Sequence, residues 1–204
     1  MRLIIILLSI IIFISEPANA YTPAEQAEIS SVETYLNNIS TLKADFTQTA
    51  ADGAGMNGVF LLKRPGRLRF EYAPPVEDFI VADGTFIHYY DGEMKQHSQT
   101  SIEQTLANFF LIKDIKLGGK IDVANIKSDK NTIELTVVQK DDTMAGSLTL
   151  LLDKNPLQLK KWHIVDAQGI TTSIELKNIE FGSKLSDKLF YYYDPEKKKT
   201  ILNK

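Results

Sequence analysis

The sequence predicts a mainly β fold: one long antiparallel sheet of about ten or eleven short strands, curled, with two apolar helices available to cover its concave face. Three observations predict it. Apolar residues alternate with a period of two over most of the chain, in short runs closed by turn residues such as Asp83-Gly84, Asp91-Gly92 and Asn155-Pro156. The runs follow one another directly, without the crossover helices that parallel strands need. The period changes to three and four in only two places, after Tyr21 and after Ser101.

The first twenty residues are expected to stand outside that fold. MRLIIILLSIIIFISEPANA carries Arg2, an apolar run from Leu3 to Ile14, and a small-x-small ending at Ala18-Asn19-Ala20. That is a secretory signal peptide cleaved near Ala20. The run is shorter than the ~20 apolar residues that span a bilayer. Residues 21–204 then form a single expected domain.

That domain opens with a helix. Thr22 is a candidate N-cap, Pro23 suits the first helical position, and Glu25 completes a capping box. Ile29, Val32, Leu36 and Ile39 make one apolar stripe, and Asn37-Asn38 end the helix. Strands are expected from Phe46 to Thr49, Gly58 to Lys63, Arg67 to Tyr72, Phe79 to Val81, Phe86 to Tyr90 and Glu93 to Ser98. A helix capped by Ser101 and carrying Leu106, Phe109, Phe110 and Ile112 interrupts them. Strands resume at Ile121–Ile126, Thr132–Gln139, Gly146–Asp153, Leu157–Asp166 and Ile170–Phe181, and Leu189 to Tyr193 could add a short edge strand.

Composition narrows the function. Lys and Arg number 23 against 26 Asp and Glu, a net charge of −3, and cleavage near Ala20 removes one of each sign. No basic excess points to nucleic acid or to an anionic membrane surface. There is no cysteine, so neither a disulfide framework nor a lipid-modified N-terminal cysteine is available. A signal peptide without such an anchor points to the periplasm. The sequence has no Gly-rich phosphate loop, H-E-x-x-H or G-x-S-x-G. His88 and His97 fall on paired strands, but no third ligand has metal-site spacing, and both read as ordinary strand positions. The chain is expected to be no enzyme, to need no cofactor and to be a monomer.

Four stretches resemble the periplasmic outer-membrane lipoprotein carriers, the LolA family. They are Leu42-Lys43-Ala44-Asp45-Phe46-Thr47-Gln48 after the amphipathic helix; Gly58 through Tyr72 with its Lys63-Arg64-Pro65-Gly66 centre, closed by Pro74-Pro75; Val81-Ala82-Asp83-Gly84-Thr85 before an aromatic strand; and Asp187-x-Leu189-Phe190 before Asp194-Pro195. The likeness weakens after Pro195, where the family often carries a further strand and loop. It implies an incomplete antiparallel β-barrel enclosing a hydrophobic cavity under a helical lid. It implies a carrier that takes acylated lipoproteins from an inner-membrane releasing transporter. Delivery would be to an outer-membrane lipoprotein receptor, or to the outer membrane itself. A periplasmic lipid or glycolipid carrier or sensor of the same fold is the alternative.

On that resemblance Phe60, Leu62, Leu68, Phe70 and Tyr72 would line the cavity from the strands, and Val32, Leu36, Leu106, Phe109 and Phe110 from the helices. Arg64 would be the latch, reaching backbone carbonyls of the lid. Taken alone, the aromatic face of Arg67–Tyr72 can also be read as plain core, and Arg64 as an exposed strand-end charge.

Overall fold

A computed structural model of the chain describes residues 21–197. The predicted signal peptide and the residues after Lys197 lie outside this range.

Helix α1 (Pro23–Asn37) starts as the sequence dictates. The Thr22 hydroxyl accepts from Glu25 N–H, and the Glu25 carboxylate accepts from Thr22 N–H. Eleven strands follow: β1 (Thr41–Thr49), β2 (Gly55–Lys63), β3 (Arg67–Tyr72), β4 (Phe79–Asp83), β5 (Phe86–Asp91), β6 (Gln96–Ser101), β7 (Ile121–Ser128), β8 (Thr132–Gln139), β9 (Asp142–Lys154), β10 (Leu157–Val165) and β11 (Thr171–Phe181). They form one antiparallel sheet in the order β6-β5-β4-β3-β2-β1-β11-β10-β9-β8-β7.

This order decides where the lid lies. The chain enters at the middle of the sheet, walks to one edge at β6, and must then reach the opposite edge at β7. Residues 102–120 make that crossing. The edges β6 and β7 do not pair, so the barrel stays open. Register shifts fall where β11 pairs with β1, β7 with β8, β9 with β8 and β10 with β9, the extra residues lying in β11, β7, β9 and β10, and such bulges bend and twist a sheet. Gly58 in β2 helps: a Cβ there would collide with the Glu71 carbonyl and the Phe46 ring, so only glycine lets β1 and β3 close around it.

The concave face carries the core, with Val32, Leu36, Leu42, Phe46, Leu150 and Trp162 among its buried residues. Fixing α1 to the far half of the sheet are three polar contacts: Tyr21 OH donates to Val123 O (2.5 Å), Leu159 N–H donates to Tyr35 OH (2.9 Å), and Lys154 pairs with Glu28 (2.6 Å). A second, smaller core of Phe79, Val81, Tyr90 and Phe190 lies on the convex side, under the C-terminal segment.

Four expectations are corrected. The helix expected after Ser101 is a 3₁₀ turn at Ile102–Gln104 and a single turn, α2 (Asn108–Leu111); the rest of the crossing is irregular. Its N-cap, Ala107, offers no side-chain acceptor. Further along, side chains of other elements serve its backbone groups in place of a helical ladder. Strand β6 begins at Gln96 instead of Glu93, because Gly92–Lys95 are spent on a turn in which Asp91 accepts from Met94 N–H and Lys95 adopts φ 53°. Residues 189–193 are no edge strand. Leu189 and Phe190 close a 3₁₀ turn at Asp187–Phe190, residues 191–193 are irregular, and Phe190 is buried against the convex face. Strand β1 also starts earlier than expected, at Thr41, since Leu42 and Ala44 are buried in the same alternation as Phe46.

Candidate functional site: an apolar cavity beneath a crossing segment

Strands β2 and β3 pair with Phe60 opposite Phe70 and Leu62 opposite Leu68. Period-two alternation therefore puts Phe60, Leu62, Leu68, Phe70 and Tyr72 on the concave face together. Arg67 and Arg69 occupy the convex face, where Arg67 contacts Asp187 (3.3 Å) and Arg69 lies 5.0 Å from the centre of the Phe79 ring. The inward rings interlock. Phe70 packs against Phe60 (4.6 Å between centroids) and Phe46 (5.1 Å), and Trp162 of β10 contacts Phe60 (5.6 Å) and Phe110 (5.1 Å).

Beside these rings is a cavity of about 450 Å³, walled by Phe60, Leu68, Phe70, Tyr72 and Trp162 and roofed by Leu106 and Phe110. Its volume is in the range of small-molecule sites. Polar groups gather toward one part of its lining. Tyr72 OH donates to Gln48 Oε1 (2.8 Å) and Tyr89 OH to Asp78 Oδ2 (2.9 Å). Burial, then the nearby Asp78 charge, push the Tyr72 phenol up to about 12. Burial and the Asp78 carboxylate raise Tyr89 as well. Both stay neutral donors at any ordinary pH. A second space of about 370 Å³ opens between the crossing segment and β7–β9, lined by Leu106, Phe109, Ile121, Val137 and Leu148. Leu106 and Leu148 border both spaces. A small void of about 10 Å³ lies behind Phe110, bounded by Leu36, Leu62 and Arg64. Val32 is fully buried in the core and borders none of these three spaces.

Arg64 stands between β2 and β3 and aims its guanidinium at the crossing segment. Nη1 donates to Leu36 O at the end of α1 (2.5 Å); Nη2 donates to Ile112 O (2.8 Å) and Lys113 O (2.9 Å); Nε also points at Ile112 O (3.2 Å). One rigid fork thus joins α1, the lid and the sheet. Burial lowers its pKa and Asp114 acts against that, but an arginine keeps its charge throughout. Gly66 N–H adds a bond to Leu111 O (2.8 Å).

Two residues that are not among the expected site residues complete the hold. Asn37 makes a paired contact with Ile115, donating from Nδ2 to its carbonyl and accepting its N–H, both at 2.9 Å. Glu33 accepts from Leu117 N–H (2.7 Å). Asn37 read only as a helix terminator. Its spacing from Glu33 and Leu36 on one helical face was the available sign. Trp162, the one tryptophan, lies in an expected strand, but plain alternation would set it opposite Leu159; the register shift between Leu159 and Lys161 brings both into the core.

Comparison with known proteins gives the family. Residues 37–193 match the family model described as outer membrane lipoprotein carrier protein LolA.

The chain belongs to the LolA family.

It is 28% identical to the outer-membrane lipoprotein carrier protein of Azotobacter vinelandii over 205 residues, which covers 94% of each chain. With the protein of the same name from Methylococcus capsulatus it shares 26% over 180 residues, 84% of this chain and 86% of the relative. An uncharacterized protein of Rickettsia prowazekii is 27% identical over 192 residues, 94% of this chain and 88% of the relative. A solved LolA superfamily protein from Nitrosomonas europaea aligns over 80% of this chain and 97% of its own, with 13% identity and a TM-score of 0.44. Among the described residues, no helix is long and apolar enough to cross a membrane. The LolA-family expectation of an incomplete barrel agrees with the open eleven-stranded sheet.

Proposed function

We propose that this LolA-family chain is a non-catalytic periplasmic carrier. It binds the acyl chains of lipoproteins released by an inner-membrane transporter and delivers them to an outer-membrane receptor or to the outer membrane. The signal peptide, residues 1–20, would direct export, and residues 21–204 would be the working domain. The observation that carries the reading is the aromatic-walled cavity lying directly under a segment tied down by Arg64, with Asn37 and Glu33 beside it.

The energetics suit a carrier. An acyl chain of ~14 CH₂ groups leaves water with a gain of roughly 0.8 kcal/mol per group, about 11 kcal/mol in all. Such a chain does not cross an aqueous compartment unaided. The lid offers the opposing term. Charge-assisted hydrogen bonds contribute about 1.5–3 kcal/mol each, so the three carbonyls on Arg64 oppose opening by at most about 9 kcal/mol. A single acyl chain outweighs the latch, yet the closed form remains a real competitor. Loading and unloading both stay accessible. Leu106 and Phe110, the roof residues, would move first.

Native mass spectrometry of the exported protein tests the reading. Added mass from an acylated protein supports it. A bound glycolipid would reassign the cargo. An empty protein that also fails to bind a fluorescent acyl probe would make the aromatic face plain core.

A further inference from the structure

The convex face holds an arrangement that lipid carriage does not use. His88 is 7% exposed, and its Nε2 lies 3.0 Å from Asp83 Oδ2 while its Nδ1 lies 3.0 Å from Nε2 of His97. Tyr192 of the C-terminal segment lies flat over both imidazoles, with ring centroids 4.0 Å from His97 and 5.1 Å from His88 and interplanar angles of 17° and 11°. The same segment sends Phe190 into the small core of Phe79, Val81 and Tyr90. It is tied by Asp187 to Lys63 (2.6 Å), by Leu189 O to Arg69 (3.4 Å) and by Glu196 to the Tyr90 hydroxyl (3.2 Å). Residues 185–196 are thus a strap, and at its far end Tyr192 covers one side of the pair, buried His88 and solvent-exposed His97.

We propose that His88 and His97 form an acid-sensitive clasp for this strap: docked while the pair holds at most one added proton, released when both rings are charged. Release would uncover Phe79, Val81 and Tyr90 on the convex face.

Hydrogen-bond chemistry sets the proton count. Asp83 accepts from His88 Nε2–H, so in the neutral pair His88 Nδ1 is an acceptor and His97 Nε2–H donates to it. One proton can be added without loss, because a charged His88 donates from Nδ1 to a neutral His97. A second proton leaves two N–H groups facing each other at a spacing that requires one shared hydrogen. The Tyr192 ring would tolerate a cation beneath it; the two imidazoles would not tolerate each other. They must part, and Tyr192 loses the near-coplanar surface it covers.

The charged surroundings agree. Asp83 at the end of β4 contacts His88, Tyr192 of the strap stacks on both rings and Asp194 acts on His97; Lys95, two residues before His97, pairs with Glu196 of the strap (4.0 Å). Burial, then the His88 charge, lower the His97 pKa, and Asp194 opposes them without prevailing. Asp83 is held below its usual value: burial would raise it, but Phe86 N–H, His88 and Thr85 N–H outweigh that. A histidine depressed in the docked state binds its proton better when undocked. Docking is therefore complete above the ordinary histidine pKa of about 6.5 and weakens as pH falls through and below it.

Hydrogen exchange of the full chain at several pH values from 7.5 to 3.5, corrected for intrinsic rates, reads strap docking directly. Protection of residues 186–193 should fall by up to about tenfold per pH unit for one linked proton, while β1 and β11 stay protected. His97→Gln keeps an N–H donor for His88 but takes no charge, so its strap should stay protected throughout. Unchanged wild-type protection at pH 5.0 overturns the clasp, as does an equal loss in His97→Gln. If that variant loses its strap even at pH 7.5, the wild-type midpoint decides. A midpoint in the histidine range supports the clasp; one in the carboxylate range overturns it and assigns release to the acidic residues.

Discussion

Replacing Arg64 by leucine removes the donors to Leu36 O, Ile112 O and Lys113 O in one step. Summed at about 1.5–3 kcal/mol each, they would be worth up to about 9 kcal/mol. The loss on local opening is smaller, because Asn37 and Glu33 still hold Ile115 and Leu117 and such bonds are not additive. About 2–4 kcal/mol is the expected loss, which is roughly 30- to 700-fold in the opening equilibrium at 1.4 kcal/mol per decade. Hydrogen exchange of residues 108–117 reads that number. Amides of β1 and β2 should be unaffected, since their ladder does not depend on the guanidinium. A fluorescent acyl probe should bind the variant more tightly and leave more slowly, because the closed state no longer competes. Exchange in 108–117 equal to wild type would refute the argument that Arg64 holds the segment. Faster exchange with unaltered probe release would separate the segment from the cavity and remove the latch.

Other outcomes follow from the same geometry. Phe70→Glu puts a charge among the Phe46, Phe60 and Trp162 rings; its effective penalty of several kcal/mol should lower acyl-probe affinity at least about 100-fold while circular dichroism keeps the β signature. Undiminished binding would take Phe70 off the cavity wall. Asn37→Ala leaves both Ile115 backbone groups without their partner and should lower stability by about 1–3 kcal/mol in urea unfolding; no shift in midpoint would mean water replaces the side chain. Tyr72 should ionise near 12 when followed by phenolate absorbance. Between the ordinary tyrosine value of about 10 and 12 the native state holds the proton more tightly than the unfolded chain, so stability falls as pH rises through that window. A Tyr72→Phe protein with the same alkaline stability profile would contradict this.

Several structural features were legible in the residues themselves. The capping box at Thr22 and Glu25 is local, and so was readable. Alternation placed Leu68, Phe70 and Tyr72 opposite Arg67 and Arg69, because period two leaves no other choice within a strand. Asp-Gly turns located the β4–β5 hairpin. The site was legible in part: Arg64 and the β2–β3 ring residues stood out by resemblance and pattern, whereas Asn37, Glu33 and Trp162 gave no comparable sign.

Tertiary structure alone decided the rest, for one recurring reason: the partners are far apart in sequence. The crossing segment looks helical by its apolar spacing, yet its hydrogen bonds come from Arg64, Asn37 and Glu33, which no local pattern pairs with it. Leu189–Tyr193 reads as strand, but Phe190 finds a deeper hole against Phe79 and Tyr90 than a sheet edge would give it. His88 and His97 are nine residues apart and look incidental. Only the β5–β6 register and a tail folded back across them turn the two rings into one hydrogen-bonded pair.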